Sequence, residues 1–506
     1  RQSWICHQEY YRDCEVLWYQ MITIEKKNEV FLKVEGEQHI HKELSEHFQF
    51  EVPGAKFMPQ FRKRVWDGKI RLYSPGTGEI YVGLYDYLTQ YLDQKGYEYT
   101  IKDSKYFGLP NEEEDYVSPE SVASFVRSLG LPFKIRDYQL KALFTAIKQR
   151  RKLLLSPTGS GKSLIIYGLV RWHLKAEREI LIIVPTVSLV SQLTQDFKDY
   201  GWKADHYVHQ IMGGQERYVD APVVISTWQS IYKEPKKFFE RFDVIIGDEA
   251  HLYKAKSLSG ILNKCHDAKY RVGLTGTLDG MHSHQLVLEG LFGRCDKVTT
   301  TVDLMKKGQL TPLKVRVLLM QHGHVPFDTY QQEMDYIVSH PTRNNFICNL
   351  AEDLDGNTLI LFNYIEKHGD PLWEMLNNKV SKDRKIFFIH GGVDAVEREE
   401  ARKICEQEKN AIILASYGTF STGINIRNLH NVIFASPSKS RVRNLQSIGR
   451  VLRKGDNKAQ AVLYDIADDC SRGSRHNYTL RHLIERLKIY DEEKFDYEVT
   501  KVNLRK

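Results

Sequence analysis

From residue 131 onward, short apolar runs alternate with stretches of helical periodicity. The runs fall at 152–155, 180–184, 223–225, 244–246 and 272–274, and each ends in polar or glycine-rich residues. Apolar runs this short, with helices between them, predict parallel strands buried on both faces. The same grammar returns after about residue 310, with runs at 359–362, 386–389, 412–414, 432–434 and 461–463. The chain therefore predicts two tandem α/β units joined near 305–312. Ahead of them, residues 21–105 mix short alternating strands at 22–24 and 30–34 with one helical stretch near 41–49, a small α+β unit. The acidic run at 112–115 reads as a linker. The expected boundaries are 21–110, 111–308 and 309–506.

Residues 1–20 fit none of this. They carry acids and aromatics without a period and lack the build of a signal peptide. They read as a non-native or disordered extension, with the natural start at Met21.

Length and composition agree with this division. At 506 residues the chain has room for about three domains. A hydrophobic share of 42% and a charged share of 27% exclude wholesale disorder. The longest aliphatic runs are about five residues, and a membrane span needs about twenty, so an integral membrane protein is excluded. Seven cysteines without a CxxC pair argue against a zinc ribbon or disulfide scaffold. A reducing cytoplasm is the expected compartment, that of the host cell if the protein is viral. The net charge of +7 is mild, and its placement is more informative. Six basic residues at 56–71, among them Arg62, Lys63 and Arg64, interleave with Phe57, Phe61, Trp66 and Tyr73. Base plus aromatic is how proteins hold phosphates and stack on bases. Arg62, Lys63, Arg64 and Trp66 are candidate nucleic-acid contacts.

In open parallel sheets, ligands sit beyond the carboxyl ends of the strands. There the sequence reads Ser156-Pro-Thr-Gly-Ser-Gly-Lys-Ser163, between a predicted strand and a predicted helix. This is the setting of a Walker A loop, with Ser156 where Gly is usual. Thr158, Gly159, Ser160 and Gly161 would cradle phosphates, Lys162 would pair with the β and γ phosphates, and Ser163 would ligate Mg²⁺. Asp248-Glu-Ala-His251 ends another predicted strand. Asp248 would help hold Mg²⁺, Glu249 would orient and deprotonate the attacking water, and His251 would report nucleotide state. In the second α/β unit, Gln446, Arg450 and Arg453 lie on a predicted helix, and the two arginines, three apart, share a face. Arginines presented by a second domain stabilise charge on a γ-phosphate in transit. His282, His284, His322 and His324 suggest metal pairs, but no Cys or acidic cluster accompanies them, so solvated loops are expected. Thr479–Tyr490 reads as a basic amphipathic helix packed on the second α/β unit.

Taken in order, these strings resemble superfamily 2 helicases. The set comprises Tyr138-Gln139, PTGSGKS, Pro185-Thr186, Ser226-Thr-Trp-Gln-Ser230, DEAH and Thr275-Gly-Thr277. It continues with Leu361-Phe-Asn363, His390-Gly-Gly392, Ser416, Gly423-Ile-Asn425 and QSIGRVLR. Outside these motifs, the segment 61–72 with its Trp-Asp-Gly, the stretch 415–423 and the tail 491–504 are similar to the UvsW helicases of T-even-type bacteriophages. The resemblance implies two RecA-like domains behind a small N-terminal domain, driven by ATP and Mg²⁺. It implies an ATP-dependent DNA helicase acting on single-stranded and branched DNA and on RNA–DNA hybrids in R-loops, by branch migration, fork remodelling and strand annealing. Such a chain would act as a monomer, away from membranes. By position, Gln139 would read adenine, and Gly423 and Asn425 would sit beside the sugar, with Asn425 standing where Asp is common. Thr186, Thr227, Asn363, Gly391 and Ser416 would face the nucleic-acid backbone, and Thr275 and Thr277 would couple the two sites. The rival readings are a superfamily 2 RNA helicase or remodeller, the motor subunit of a nuclease complex, and an ATP-gated annealing protein that never translocates.

Overall fold

The computed structural model describes residues 21–393, 395–422, 426, 428–455, 458–471 and 475–504. The extension expected at 1–20, and the candidates Gly423 and Asn425, lie outside them.

Two seven-stranded, all-parallel sheets dominate. The first runs Val208–Ile211, Val223–Thr227, Ile180–Val184, Val244–Gly247, Tyr270–Thr275, Arg151–Leu155, Cys295–Lys297. The interior strand Ile180–Val184 is buried at every position, which is why it reads as a continuous apolar run. The second sheet runs Ile386–Ile389, Ile412–Ser416, Thr358–Phe362, Asn431–Phe434, Ala461–Asp469, Leu313–Gln321, Asp496–Asn503. Its last strand is mostly exposed on the sheet edge and breaks the buried-run rule, so apolar patterning does not reveal it. The helix Tyr478–Glu492 packs on this sheet through a buried ion pair, Arg486 to Asp465 at 2.8 Å. No helix among the described residues is long and apolar enough to cross a membrane.

The N-terminal unit is a five-stranded sheet ordered Tyr73–Ser74, Glu79–Tyr81, Phe31–Glu35, Ile22–Lys26, Tyr99–Lys102, backed by the helices Gln38–His47 and Tyr85–Lys95. It does not stand apart. Its Ile24, Leu32 and Leu88 share one core with Leu181, Ile245 and Leu291 of the first large sheet and its helices. The turn Val82–Leu84 lies against the helix His282–Phe292. A Cβ on Gly83 would come within 1.9 Å of the Glu289 carbonyl oxygen, so only glycine permits this approach. Tyr87 Oη donates to Glu289 (2.6 Å), and the largely buried Arg151 pairs with Glu29 (2.7 Å).

The acidic run at 112–115 joins the two units without regular structure and is tied down at one point: Glu114 is buried, pairs with Arg150 at 2.9 Å and accepts from the Tyr270 hydroxyl, which holds the segment against the first large sheet. One expectation is corrected here. His322 is not in a solvated loop. It is buried with its Nε2 2.8 Å from Asp468 Oδ1, beside an Arg343–Asp468 pair at 2.7 Å. His282 and His284 open a helix, where His284 meets Asp279 at 2.5 Å.

Candidate active site

The strand Arg151–Leu155 feeds a tight loop that enters the helix Lys162–Lys175. Gly159 and Gly161 have φ of 85° and 84°, a region costly for any residue with a Cβ. Ser156, standing where glycine is usual, is fully buried, with its hydroxyl 2.6 Å from that of Ser160. Its amide donates to the Thr275 carbonyl at 2.8 Å. The loop is thus locked to the neighbouring strand, and the positive end of a 14-residue helix points out of it.

Lys162 and Ser163 occupy the first helical positions. Lys162 Nζ lies 3.1 Å from Glu249 Oε1. Glu249, two residues past the strand Val244–Gly247, is the N-cap of the short helix Ala250–Lys254 and lies in the left-handed region, φ 48°, a strain of about 1–3 kcal/mol, with its carboxylate at Lys162. Glu249 Oε2 lies 3.4 Å from His251 Nδ1, which is 2.9 Å from Thr275 Oγ1, and that hydroxyl donates to Thr277 O at 3.0 Å. His251, Thr275 and Thr277 thus form one line leading away from Glu249. Burial pushes the Asp248 carboxyl up, opposed by Lys162. Burial also works against the Glu249 charge, but Lys162 and His251 prevail and hold it far below the usual carboxylate range. Lys162 is raised in turn: burial opposes its charge, and Glu249 and Asp248 outweigh that. Two adjacent acids pushed in opposite directions give one ionised base beside one acid of raised affinity for protons.

The second sheet closes the cavity. Gln446 and Arg450 on the helix Arg441–Val451, and Arg453 just beyond it, line the same space of about 460 Å³ as Lys162, Asp248 and Glu249. The Arg450 guanidinium is pushed down to about 10, first by burial, then by Arg453, with Glu249 opposing. It also lies 5.7 Å from the Phe420 ring centroid. Both lobes bear on the loop itself. A Cβ on Gly449 would sit 2.7 Å from Thr158 Cβ, and one on Gly159 would sit 2.7 Å from Leu310 Cδ2.

The other candidates fall in several places. Gln139 is buried against the loop: its Nε2 donates to Ser160 O at 2.8 Å and its Oε1 accepts from Arg136 N at 3.0 Å. In this conformation it braces the loop rather than facing the cavity. Thr186 lines the cavity beside the loop, and Thr227 is buried with its hydroxyl on Ser230 at 2.8 Å. Asn363, Gly391 and Ser416 lie at or just beyond the carboxyl ends of second-sheet strands. Asn363 accepts from Arg443 at 3.3 Å, Ser416 donates to Thr419 at 2.8 Å, and Gly391 is exposed. Arg62, Lys63 and Arg64 are exposed on a hairpin-like insert between the paired strands Gln49–Glu51 and Lys69–Arg71. Trp66 is half-buried there, its Nε1 donating to Lys69 O at 2.9 Å. An open concavity of about 920 Å³ in this insert is lined by Lys56, Phe61, Arg62, Arg64, Trp66 and Arg71.

Motif reasoning missed a row of polar residues on the helix Val187–Asp199. Ser188, Gln192 and Asp196 line the cavity, and Tyr200, just past the helix, donates to Ser163 Oγ at 3.1 Å. Burial pushes the Asp196 carboxyl up, with a hydrogen bond to Ser163 opposing. The signal that could have found them is their spacing of four, which puts them on one helical face. Among the described residues, no group of three or more His, Cys, Asp or Glu is arranged to hold a metal ion. Of the hydroxyls and carboxylates that line the cavity, Ser163 and Asp248 are the pair that would hold a cation retaining most of its waters.

Comparison with known proteins matches the chain in three parts. Residues 22–102 match the family model "DNA helicase UvsW, N-terminal", residues 132–280 match "Type III restriction enzyme, res subunit", and residues 342–455 match "Helicase conserved C-terminal domain". The ATP-dependent DNA helicase uvsW of Enterobacteria phage T4 is 34% identical over 501 residues, covering 94% of this chain and 98% of that protein. A DNA 3'-5' translocase, XPB2 of Sulfurisphaera tokodaii, is 24% identical and covers 65% of this chain and 81% of that protein. Among solved structures, the crystal structure of T4 UvsW is similar with a TM-score of 0.50 at 32% identity, covering 96% of this chain and all of that one.

Proposed function

The chain belongs to the UvsW family of ATP-dependent DNA helicases, and from that premise we propose that it couples ATP hydrolysis in the cavity between its two sheets to the remodelling of branched DNA and R-loops. It is an ATP-driven helicase of superfamily 2 with two RecA-like parallel sheets. The observation that carries the ATP-coupling part of this reading is the meeting of Lys162, Asp248 and Glu249 from one sheet with Arg450 and Arg453 from the other around a single cavity.

The roles follow from chemistry. Before ATP enters, Lys162 neutralises Glu249. A triphosphate takes Lys162 for its β and γ oxygens, and Glu249 is released to orient a water and accept its proton. Ser163 and Asp248 would hold Mg²⁺, which supplies charge neutralisation on the phosphates when bound. Arg450 and Arg453 meet the charge that develops on the transferred group. His251, Thr275 and Thr277 carry the state of Glu249 to the rim. Because both lobes touch the phosphate loop, occupancy alters the fit of one lobe to the other, and the cleft opens and closes with each turnover.

The substrate side rests on the exposed basic insert at 56–71 and on Asn363, Gly391 and Ser416. Side chains and backbone of this kind meet phosphates and carry little sequence information, so binding is structure-selective and sequence-tolerant. Strand exchange suits such a motor. Replacing a DNA duplex by an RNA–DNA hybrid is nearly balanced, and branch migration breaks and makes similar pairs. The protein acts as a monomer on this reading. The test is an unwinding panel of forks, Holliday junctions, R-loops and blunt duplex, with wild type and Lys162→Ala. Preference for the branched substrates, lost in the variant, supports the proposal. Equal or better activity on RNA duplexes favours an RNA helicase, and ATP-dependent strand cleavage favours a nuclease motor.

A further inference from the structure

We propose that Trp373, Phe388 and His390 form a base-stacking platform on the second lobe that holds an unstacked base of the strand being tracked. The proposal rests on the nucleic-acid reading above and adds a site to it.

The topology brings these rings to the working rim. The strand Thr358–Phe362 ends there, and the chain turns through Ile365–Gly369 into the helix Asp370–Lys379, whose start therefore lies at the carboxyl end of the sheet. Trp373 is the fourth residue of that helix. The next strand, Ile386–Ile389, returns to the same rim on the sheet edge, bringing Phe388 and His390 beside the indole.

The rings form a ladder with one buried end. Phe362 is fully buried, and its centroid is 5.8 Å from that of Phe388. Phe388 stacks under Trp373 at 6.0 Å and 23°, and meets His390 at 4.7 Å. Trp373 is still 39% exposed. An indole backed by a core-anchored phenylalanine is a rigid platform, and ordering a base against it costs little side-chain entropy. Every base has a π-face to offer it, so the contact is sequence-tolerant.

The ladder continues into the residues expected to meet the backbone. Gly391 follows His390 and is exposed. A Cβ there would lie 3.9 Å from the Thr419 hydroxyl, which accepts from Ser416 at 2.8 Å. The exposed Glu374 next to Trp373 repels phosphate. A strand on this rim therefore runs its backbone along Gly391 and Ser416 and turns a base, not a phosphate, toward Trp373.

The test uses the full chain and oligothymidine single strands, either intact or carrying one abasic site at successive positions. Binding is measured at equilibrium for wild type, Trp373→Ala and Trp373→Phe. Wild type is expected to lose roughly 5- to 150-fold in affinity at one abasic position, the range base–aromatic stacking gives. Trp373→Ala should lose a similar factor on the intact strand and be indifferent to that abasic position, and Trp373→Phe should retain most of the affinity. DNA-independent ATP turnover should be unchanged in both variants. Wild-type affinity in Trp373→Ala on every strand, or an abasic penalty that persists in it, overturns the platform. So does a wild-type scan with no sensitive position, which needs no variant at all. Wild type that fails to bind any single strand overturns the nucleic-acid reading as well, and that outcome is distinct from the others.

Discussion

Arg450→Ala separates a transition-state role from a structural one, because the two predict opposite changes in stability. Arg450 is held at about 10 by burial and by Arg453. Against an ordinary value of roughly 12.5, this is about 3 kcal/mol set against the charged form. The nucleotide-free protein therefore bears Arg450 as a cost. A γ-phosphate in transit adds negative charge beside it, and an arginine so used is worth about 10³–10⁵ in rate, or roughly 4–7 kcal/mol. Alanine removes both effects. Turnover under saturating ATP and DNA should fall by about that factor, while ATP affinity changes by less than about tenfold. The thermal midpoint of the nucleotide-free protein should hold or rise. Because the Arg450 value lies above the range where proteins are handled, this cost should be constant between pH 6 and 9. ATPase assay, nucleotide titration and thermal scans read the three quantities. Turnover within tenfold of wild type, or a midpoint lowered by several degrees, would mean that Arg450 is a tie between the lobes and not part of the chemistry.

Glu249→Gln should abolish turnover while nucleotide and DNA still bind, and steady-state hydrolysis beside binding isotherms checks it; unchanged turnover removes Glu249 as the base. Gly449→Ala should force the arginine helix off the phosphate loop, since the new Cβ has only 2.7 Å to Thr158 Cβ, and kcat should drop with each lobe still folded by circular dichroism. His368 is buried and pushed down to about 3, foremost by burial and then by Arg343. It stays neutral in the fold, so its stability contribution is present above the unfolded value near 6.5 and is lost as pH falls through the window from about 6.5 to 3. At pH 5 the loss is about 2 kcal/mol, and denaturant midpoints at pH 7 and 5 should differ less in His368→Gln. Neutralising the six basic residues of 56–71 should flatten the salt dependence of duplex binding by up to roughly 5 in slope, and an unaltered slope would assign that insert a purely structural role.

What the sequence made legible was what repeats locally. Buried strands such as Ile180–Val184 announce themselves because both faces are covered, and the phosphate loop announces itself because glycines must stand where φ is positive. The edge strand Asp496–Asn503 was hidden because most of its side chains meet water. His322 was misjudged, and the burial of Glu114 was not foreseen, because their partners, Asp468 and Arg150, are 146 and 36 residues away, and no local pattern records a long-range ion pair. Gln139 illustrates the same limit: a motif names the residue, but the brace to Ser160 appears only once the loop is folded. The row ending at Asp196 and Tyr200 was visible in principle as a spacing of four, yet nothing in that spacing says that Ser163 lies opposite.

The shared core under the N-terminal sheet fixes how this machine can move. A hairpin mounted on a separate module would swing, and its distance to the fuel chamber would vary with the stroke. Here Gly83 is pressed against Glu289 and Arg151 is clamped to Glu29, so the hairpin is cast in one piece with the half that grips the phosphates. On the proposed function it is a fixed fulcrum. Displacement along the polymer then comes, on that reading, from the other half, and lengthening or stiffening the hairpin is expected to change where DNA is held without changing how far each stroke carries it.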